Sequence, residues 1–103
     1  MEGLAIATQA VAQVTFYEGE DFESRSFTTQ QRVGNFERKG FKDGASSVVV
    51  VGERWEVCED RRFSGRCAIL RQGQYPSLAA MGLNDRISSV RILSRDANID
   101  NNR

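Results

Sequence analysis

Phe16-Tyr17-Glu18-Gly19-Glu20-Asp21-Phe22-Glu23-Ser24 is written again, 41 residues later, as Val57-Cys58-Glu59-Asp60-Arg61-Arg62-Phe63-Ser64-Gly65. Glu falls on Glu and Phe on Phe. After one inserted residue, Gly40-Phe41-Lys42-Asp43-Gly44-Ala45-Ser46-Ser47-Val48 falls on Gly82-Leu83-Asn84-Asp85-Arg86-Ile87-Ser88-Ser89-Val90. Chance rarely keeps Gly, Asp and a Ser-Ser pair in register across two such stretches. The copies span residues 14–51 and 53–93. Each holds roughly 40 residues, too few to bury a core alone, so the two must pack on each other.

Each copy reads as β. Val14-x-Phe16 and Trp55-x-Val57 alternate apolar with polar, the period of a half-buried strand, and Val48-x-Val50 and Val90-x-Ile92 repeat that alternation at the end of each copy. Between them lie short segments such as Ser26–Thr29 and Cys67–Leu70, broken by turn residues. Four short strands per copy predict an all-β fold: two Greek keys packed as an eight-stranded antiparallel sandwich. Ser77 to Met81, opened by Pro76, predicts a single helical turn. Trp55, Phe16, Phe22 and Phe63 are expected in the core.

Composition narrows the function. The chain has 103 residues and zero formal net charge, which suits one domain and offers no whole-molecule attraction for nucleic acid. It contains no His, which excludes His-based acid–base catalysis and most zinc and iron sites. No paired nucleophile and base appears, so no enzyme is expected. No apolar run approaches the ~20 residues of a membrane span. Residues 1–13 are small and apolar and end in a small-x-small pattern at Ala12. A shortened signal peptide and a flexible leader both fit them, and residues 94–103 are expected to form a disordered polar tail. Cys58 and Cys67 flank a turn-like Asp60–Gly65, so a disulfide and two buried thiols both remain open. A disulfide would favour a secreted or periplasmic setting.

The aromatic-Glu-…-Phe-x-Gly pattern (Tyr17, Glu18, Phe22, Ser24; Glu59, Phe63, Gly65) resembles the folded hairpin of βγ-crystallin Greek keys. Microbial members of that family also carry a calcium motif, N/D-N/D-x-x-S/T-S. Asn84-Asp85-Arg86-Ile87-Ser88-Ser89 matches every defined position, and Lys42-Asp43-Gly44-Ala45-Ser46-Ser47 matches all but the first. The resemblance covers residues 14–93. It implies a non-enzymatic module that binds calcium ions between its keys, as a monomer or weak homo-oligomer. A metal-free inhibitor or toxin acting through a surface loop is the alternative that the family fold also implies.

The implied stronger site takes Asn84, Asp85, the Arg86 carbonyl and Ser88, completed by Glu18 from the other key. The weaker takes Asp43, the Gly44 carbonyl and Ser46, completed by Glu59. Calcium accepts six to eight oxygens of these kinds. Lys42 brings no oxygen. At about 5 Å its charge repels a divalent ion by roughly 7 kcal/mol at an effective dielectric of 20, and by under ~2 kcal/mol in water. Ser24 replaces the glycine expected at a positive φ, a cost on the order of 1 kcal/mol. Glu20, Asp21 and Glu23 read as a solvated hairpin tip. Arg54, Arg61, Arg62, Arg66 and Arg71 read as a solvated face.

Overall fold

The computed structural model describes residues 12–41, 44–83 and 87–93. Among the described residues seven strands run in chain order: β1 (Gln13–Tyr17), β2 (Ser26–Thr29), β3 (Ser47–Val51), β4 (Arg54–Asp60), β5 (Ser64–Leu70), β6 (Gly73–Tyr75) and β7 (Ser89–Leu93). They form two antiparallel sheets, ordered β2-β1-β3-β6 and β5-β4-β7. Most of the leader and the whole polar tail lie outside the described residues, although β1 already starts at Gln13 and Ala12 packs on the core.

The sheet order shows how two small copies make one domain. β6 belongs to the second copy but pairs with β3 of the first, Val49 opposite Gln74. The first copy reciprocates with Val33, which exchanges both backbone bonds with Val90 at 2.8 and 2.9 Å. Each Greek key therefore lends its third extended segment to the other's sheet. The expected eighth strand is this isolated bridge at Val33 rather than a full strand.

Alternation along the strands sends Val14 and Phe16, Val48 and Val50, and Trp55 and Val57 into the space between the sheets, where all are almost fully buried. The two halves fill that space differently. The first copy contributes Phe16, Phe27, Phe36 and Phe41, whose rings meet edge-on, tilted or stacked at centroid distances of 5.0–6.4 Å. The second places Val57, Ala68, Leu78 and Leu83 at the matching positions, together with Trp55 where the first copy has Val14. Bulk in one half complements smaller side chains in the other, as close packing requires. Among the described residues the Trp55 indole N–H finds no hydrogen-bond partner, a cost of about 1–3 kcal/mol offset by burial of the large ring.

A single 3-10 turn leads out of each key's third segment, at Phe36–Lys39 and Leu78–Met81. Each buries its first apolar residue, Phe36 or Leu78, and ends on a left-handed glycine, Gly40 (φ 73) or Gly82 (φ 77). Glycine meets that geometry without a Cβ penalty. These stops aim the chain at residues 42–46 and 84–88.

Candidate metal centre

The two hairpins have one backbone. Asp21, Phe22 and Ser24 have φ of 57, 62 and 72°, and Arg62, Phe63 and Gly65 have 59, 61 and 77°. Left-handed conformations cost a non-glycine residue about 1–2 kcal/mol, so something must hold them. A buried serine does so in each key. Ser47 Oγ donates to the Gly19 carbonyl at 2.6 Å and accepts from the Phe22 amide at 2.9 Å. Ser89 Oγ donates to the Asp60 carbonyl at 2.6 Å and accepts from the Phe63 amide at 2.9 Å. Both serines are fully buried. The fold turns Phe22 and Phe63 away from the core in which they were expected. Phe22 packs edge-on against Tyr17, 5.8 Å between centroids, and Phe63 lies under the Arg91 guanidinium at 4.9 Å.

A second device joins hairpin to loop. Arg25 lies 3.5 Å from the Glu18 carboxylate and donates to the Gly40 carbonyl at 2.6 Å. Arg66, its counterpart, lies 3.9 Å from the Glu59 carboxylate and donates to the Gly82 carbonyl at 3.3 Å. Each arginine thus spans a hairpin glutamate and the glycine that introduces the following loop. The two arginine–glutamate contacts are longer than the 2.7–2.9 Å of a tight charge-assisted bond, and both arginine side chains are more than half exposed.

The first serine of each motif's Ser-Ser pair is stitched to both keys. The Ser46 amide donates to the Tyr17 carbonyl of its own key, and the Ser46 carbonyl accepts from Leu78 of the other, both at 2.8 Å. The Ser88 amide donates to the Cys58 carbonyl of its own key at 2.8 Å, and its carbonyl accepts from Phe36 of the other at 2.9 Å. The described backbone bonds therefore set Ser46 beside the Tyr17–Glu18 end of β1 and Ser88 beside Cys58–Glu59 of β4. Gly44 is buried with φ 81°. Lys42, Asp43, Asn84, Asp85 and Arg86 lie outside the described residues. Of the expected site residues that are described, the fold brings Ser46 toward Glu18 and Ser88 toward Glu59, the reverse of the pairing that the resemblance implied.

Charge separates the two ends. Glu20, Asp21 and Glu23 crown the first hairpin, and Ser77 Oγ donates to Glu20 Oε2 at 3.0 Å. Arg61 and Arg62 crown the second, and with Asn35, Glu37, Asp60, Ser64 and Ser88 they line an open concavity of about 660 Å³.

Cys58 and Cys67 stand directly opposite each other on β4 and β5 and are joined as a disulfide, with Cα atoms 4.1 Å apart. Their sulfur atoms lie near the Glu56 carboxylate. With both sulfurs in the bond, that trio holds no thiolate for a metal. Neither Arg25 and Arg66 nor the serine clamps were anticipated as functional. The available signal was their recurrence at the repeat offset.

Residues 13–93 match the family model described as Beta/Gamma crystallin. Over 82 residues the chain is 38% identical to rabbit (Oryctolagus cuniculus) gamma-crystallin S, covering 79% of this chain and 45% of that protein. Over 82 residues it is 30% identical to a Beta/gamma-crystallin of Ciona intestinalis, covering 79% of this chain and 98% of that one. Over 83 residues it is 34% identical to an Epidermal differentiation-specific protein of Cynops pyrrhogaster, of which it covers 24%. The chain thus spans between a quarter and a half of the first curated relatives that it matches. Among solved structures, the Ciona beta gamma crystallin superposes with TM-score 0.75 at 29% identity over 79% of this chain and 99% of that one. A betagamma-crystallin from an archaeon superposes with TM-score 0.71 at 27% identity over 81% of this chain and 99% of that one. With the reciprocal strand exchange and the paired folded hairpins, these matches make the chain a member of the βγ-crystallin family.

Proposed function

We infer that this domain binds calcium in the loops at 42–46 and 84–88 and serves as a non-catalytic module whose fold the ion stabilises. One observation carries the reading. Each loop ends in a serine whose amide is tied to one key and whose carbonyl is tied to the other. An ion that orders the loop therefore stiffens both halves at once.

The donor set suits a hard cation. Ser46, Ser88, the Gly44 carbonyl, Glu18 and Glu59 offer only oxygen, as do Asp43, Asn84, Asp85 and the Arg86 carbonyl. The side chains of Glu18 and Glu59 are 28% and 19% exposed and their carboxylates sit in loose ion pairs, so they can turn to a stronger cation. A bound calcium would supply a divalent positive centre and nothing catalytic. Asn84–Ser88 is assigned the stronger site and Asp43–Ser46 the weaker one, disfavoured by Lys42, with Glu59 the carboxylate on the Ser88 side and Glu18 the carboxylate on the Ser46 side. The shell contains few formal charges, so affinity falls on the order of micromolar to millimolar. The disulfide supports a secreted or periplasmic setting.

Calorimetric titration tests the reading. Calcium should give one clear event plus a weaker one, and at ~100 times the dissociation constant it should add about 2.7 kcal/mol to stability. Ser88→Arg should abolish the stronger event, and Lys42→Asp should strengthen the weaker. Absence of calcium binding to the folded wild type would favour the metal-free inhibitor or toxin reading instead.

A further inference from the structure

We propose that Arg38, Arg61 and Arg62 form a binding site for a compact tetrahedral oxyanion of the phosphate or sulfate class. With Gly34 and Asn35 they line a concavity of about 260 Å³, which shares Asn35, Arg61 and Arg62 with the wider one beside Ser88. The site is built from both keys: Arg38 comes from the 3-10 turn at Phe36–Lys39, and Arg61 and Arg62 come from the tip of the second hairpin. From sequence, Arg61 and Arg62 belonged to a diffuse basic face with Arg54, Arg66 and Arg71. The fold detaches Arg66, which faces Glu59, and brings in Arg38.

Three features separate this cluster from ordinary surface charge. First, among the described residues Arg38, Arg61 and Arg62 form no ion pair, in contrast to Arg25, Arg66 and Arg91, and they line one concavity together, whereas the likewise unpaired Arg32, Arg54 and Arg71 do not line it. Three like charges around one concavity repel, and an anion relieves that repulsion. Guanidinium groups also meet a tetrahedral oxyanion through paired N–H donors.

Second, the backbone beneath them is fixed. The Arg62 amide donates to the Gly34 carbonyl at 2.8 Å, Ser64 Oγ donates to the Arg61 carbonyl at 2.7 Å, and the Arg38 amide donates to the Asn35 carbonyl at 3.1 Å. Asn35 Oδ1 accepts from the Glu37 amide at 3.0 Å, which leaves its side-chain NH₂ as a further donor. Third, the matching place in the other half carries Glu20, Asp21, Ser77 and Ala80, so the repeat itself contains a negative counterpart.

The lining also sets the size of the ligand. Glu37 and Asp60 border only the wider concavity. A compact anion in the narrower part avoids them, whereas an extended polyanion runs against both. The inference does not depend on calcium binding.

The test is a titration of the ¹⁵N-labelled protein with sodium phosphate, sodium sulfate and sodium chloride at matched ionic strength in calcium-free buffer. The reporters are the backbone amides of residues 34–38 and 60–64 and the arginine Nε–Hε signals. Phosphate, sulfate or both should give saturable shifts confined to this region, and the difference between them names the preferred anion. An R61Q/R62Q variant should bind at least tenfold more weakly with the rest of its spectrum unchanged. An R54Q/R71Q variant, altered at exposed arginines elsewhere, should bind like wild type. Equal shifts with chloride, or undiminished binding by R61Q/R62Q, would overturn the proposal.

Discussion

The hairpin Gly19–Ser24 and the hairpin Asp60–Gly65 follow the same left-handed path and are clamped by equivalent serines, yet they divide the space inside the turn in opposite ways. In the second, a Cβ on Gly65 would collide with the Asp60 carboxylate. In the first, the residue matching Asp60 is Gly19 and the residue matching Gly65 is Ser24. A Cβ on Gly19 would come within 3.0 Å of the Glu23 carbonyl and 3.4 Å of Ser24 Oγ. Each hairpin thus has one glycine and one side chain, at exchanged positions. A rule that demands glycine at the second place is too narrow, because the turn needs room for only one side chain. The tips have also diverged in charge, to Glu20, Asp21 and Glu23 on one and Arg61 and Arg62 on the other, while the shared backbone endured.

The largest effect should come from the element the hairpins share. Ser47→Ala and Ser89→Ala each strip two hydrogen bonds from buried backbone groups, and each should cost about 2–4 kcal/mol in chemical denaturation. If only one does, the two clamps are not equivalent and the comparison breaks. Next come the exchanged positions. Gly65→Ser should cost about 2–3 kcal/mol, from left-handed strain plus the collision with Asp60. Ser24→Gly should gain about 0.5–1 kcal/mol, the relief of strain at φ 72°. Gly19→Asp should destabilise the wild type more than it destabilises Ser24→Gly, and thermal melts of the four variants in that cycle would reveal the coupling. The smallest effects belong to the exposed arginine bridges. Arg25→Gln and Arg66→Gln should each change stability by under ~1 kcal/mol. Each should also raise calcium affinity severalfold in calorimetry, by freeing Glu18 or Glu59.

Much of this arrangement was legible in the sequence, and the exceptions share a cause. The alternation at Val14-x-Phe16, Trp55-x-Val57, Val48-x-Val50 and Val90-x-Ile92 announced β1, β4, β3 and β7, because period two is a local property. Gly73–Tyr75 and Val33 carried no such signal. A three-residue strand and a single bridge exist only because the opposite key supplies a partner. Phe22 and Phe63 looked like core by residue type, but their left-handed backbone turns the rings to the outer side of the sheets. Arg61 and Arg62 were visible as charge. That Arg38 joins them depends on where the first key's 3-10 turn packs, which no local pattern encodes. The loops proposed to bind calcium are legible only through motif spacing and family resemblance, and the described structure adds how Ser46 and Ser88 are anchored at their ends.

The central claim is that calcium binding engages both keys together. Amide chemical shifts followed through a calcium titration of the wild type test it most directly. The account predicts that residues in 42–47 and 84–89 shift along with Glu18 and Glu59, with changes reaching Phe36 and Leu78 across the divide between the keys. Shifts confined to one key, or scattered over exposed carboxylates without saturation, would contradict it.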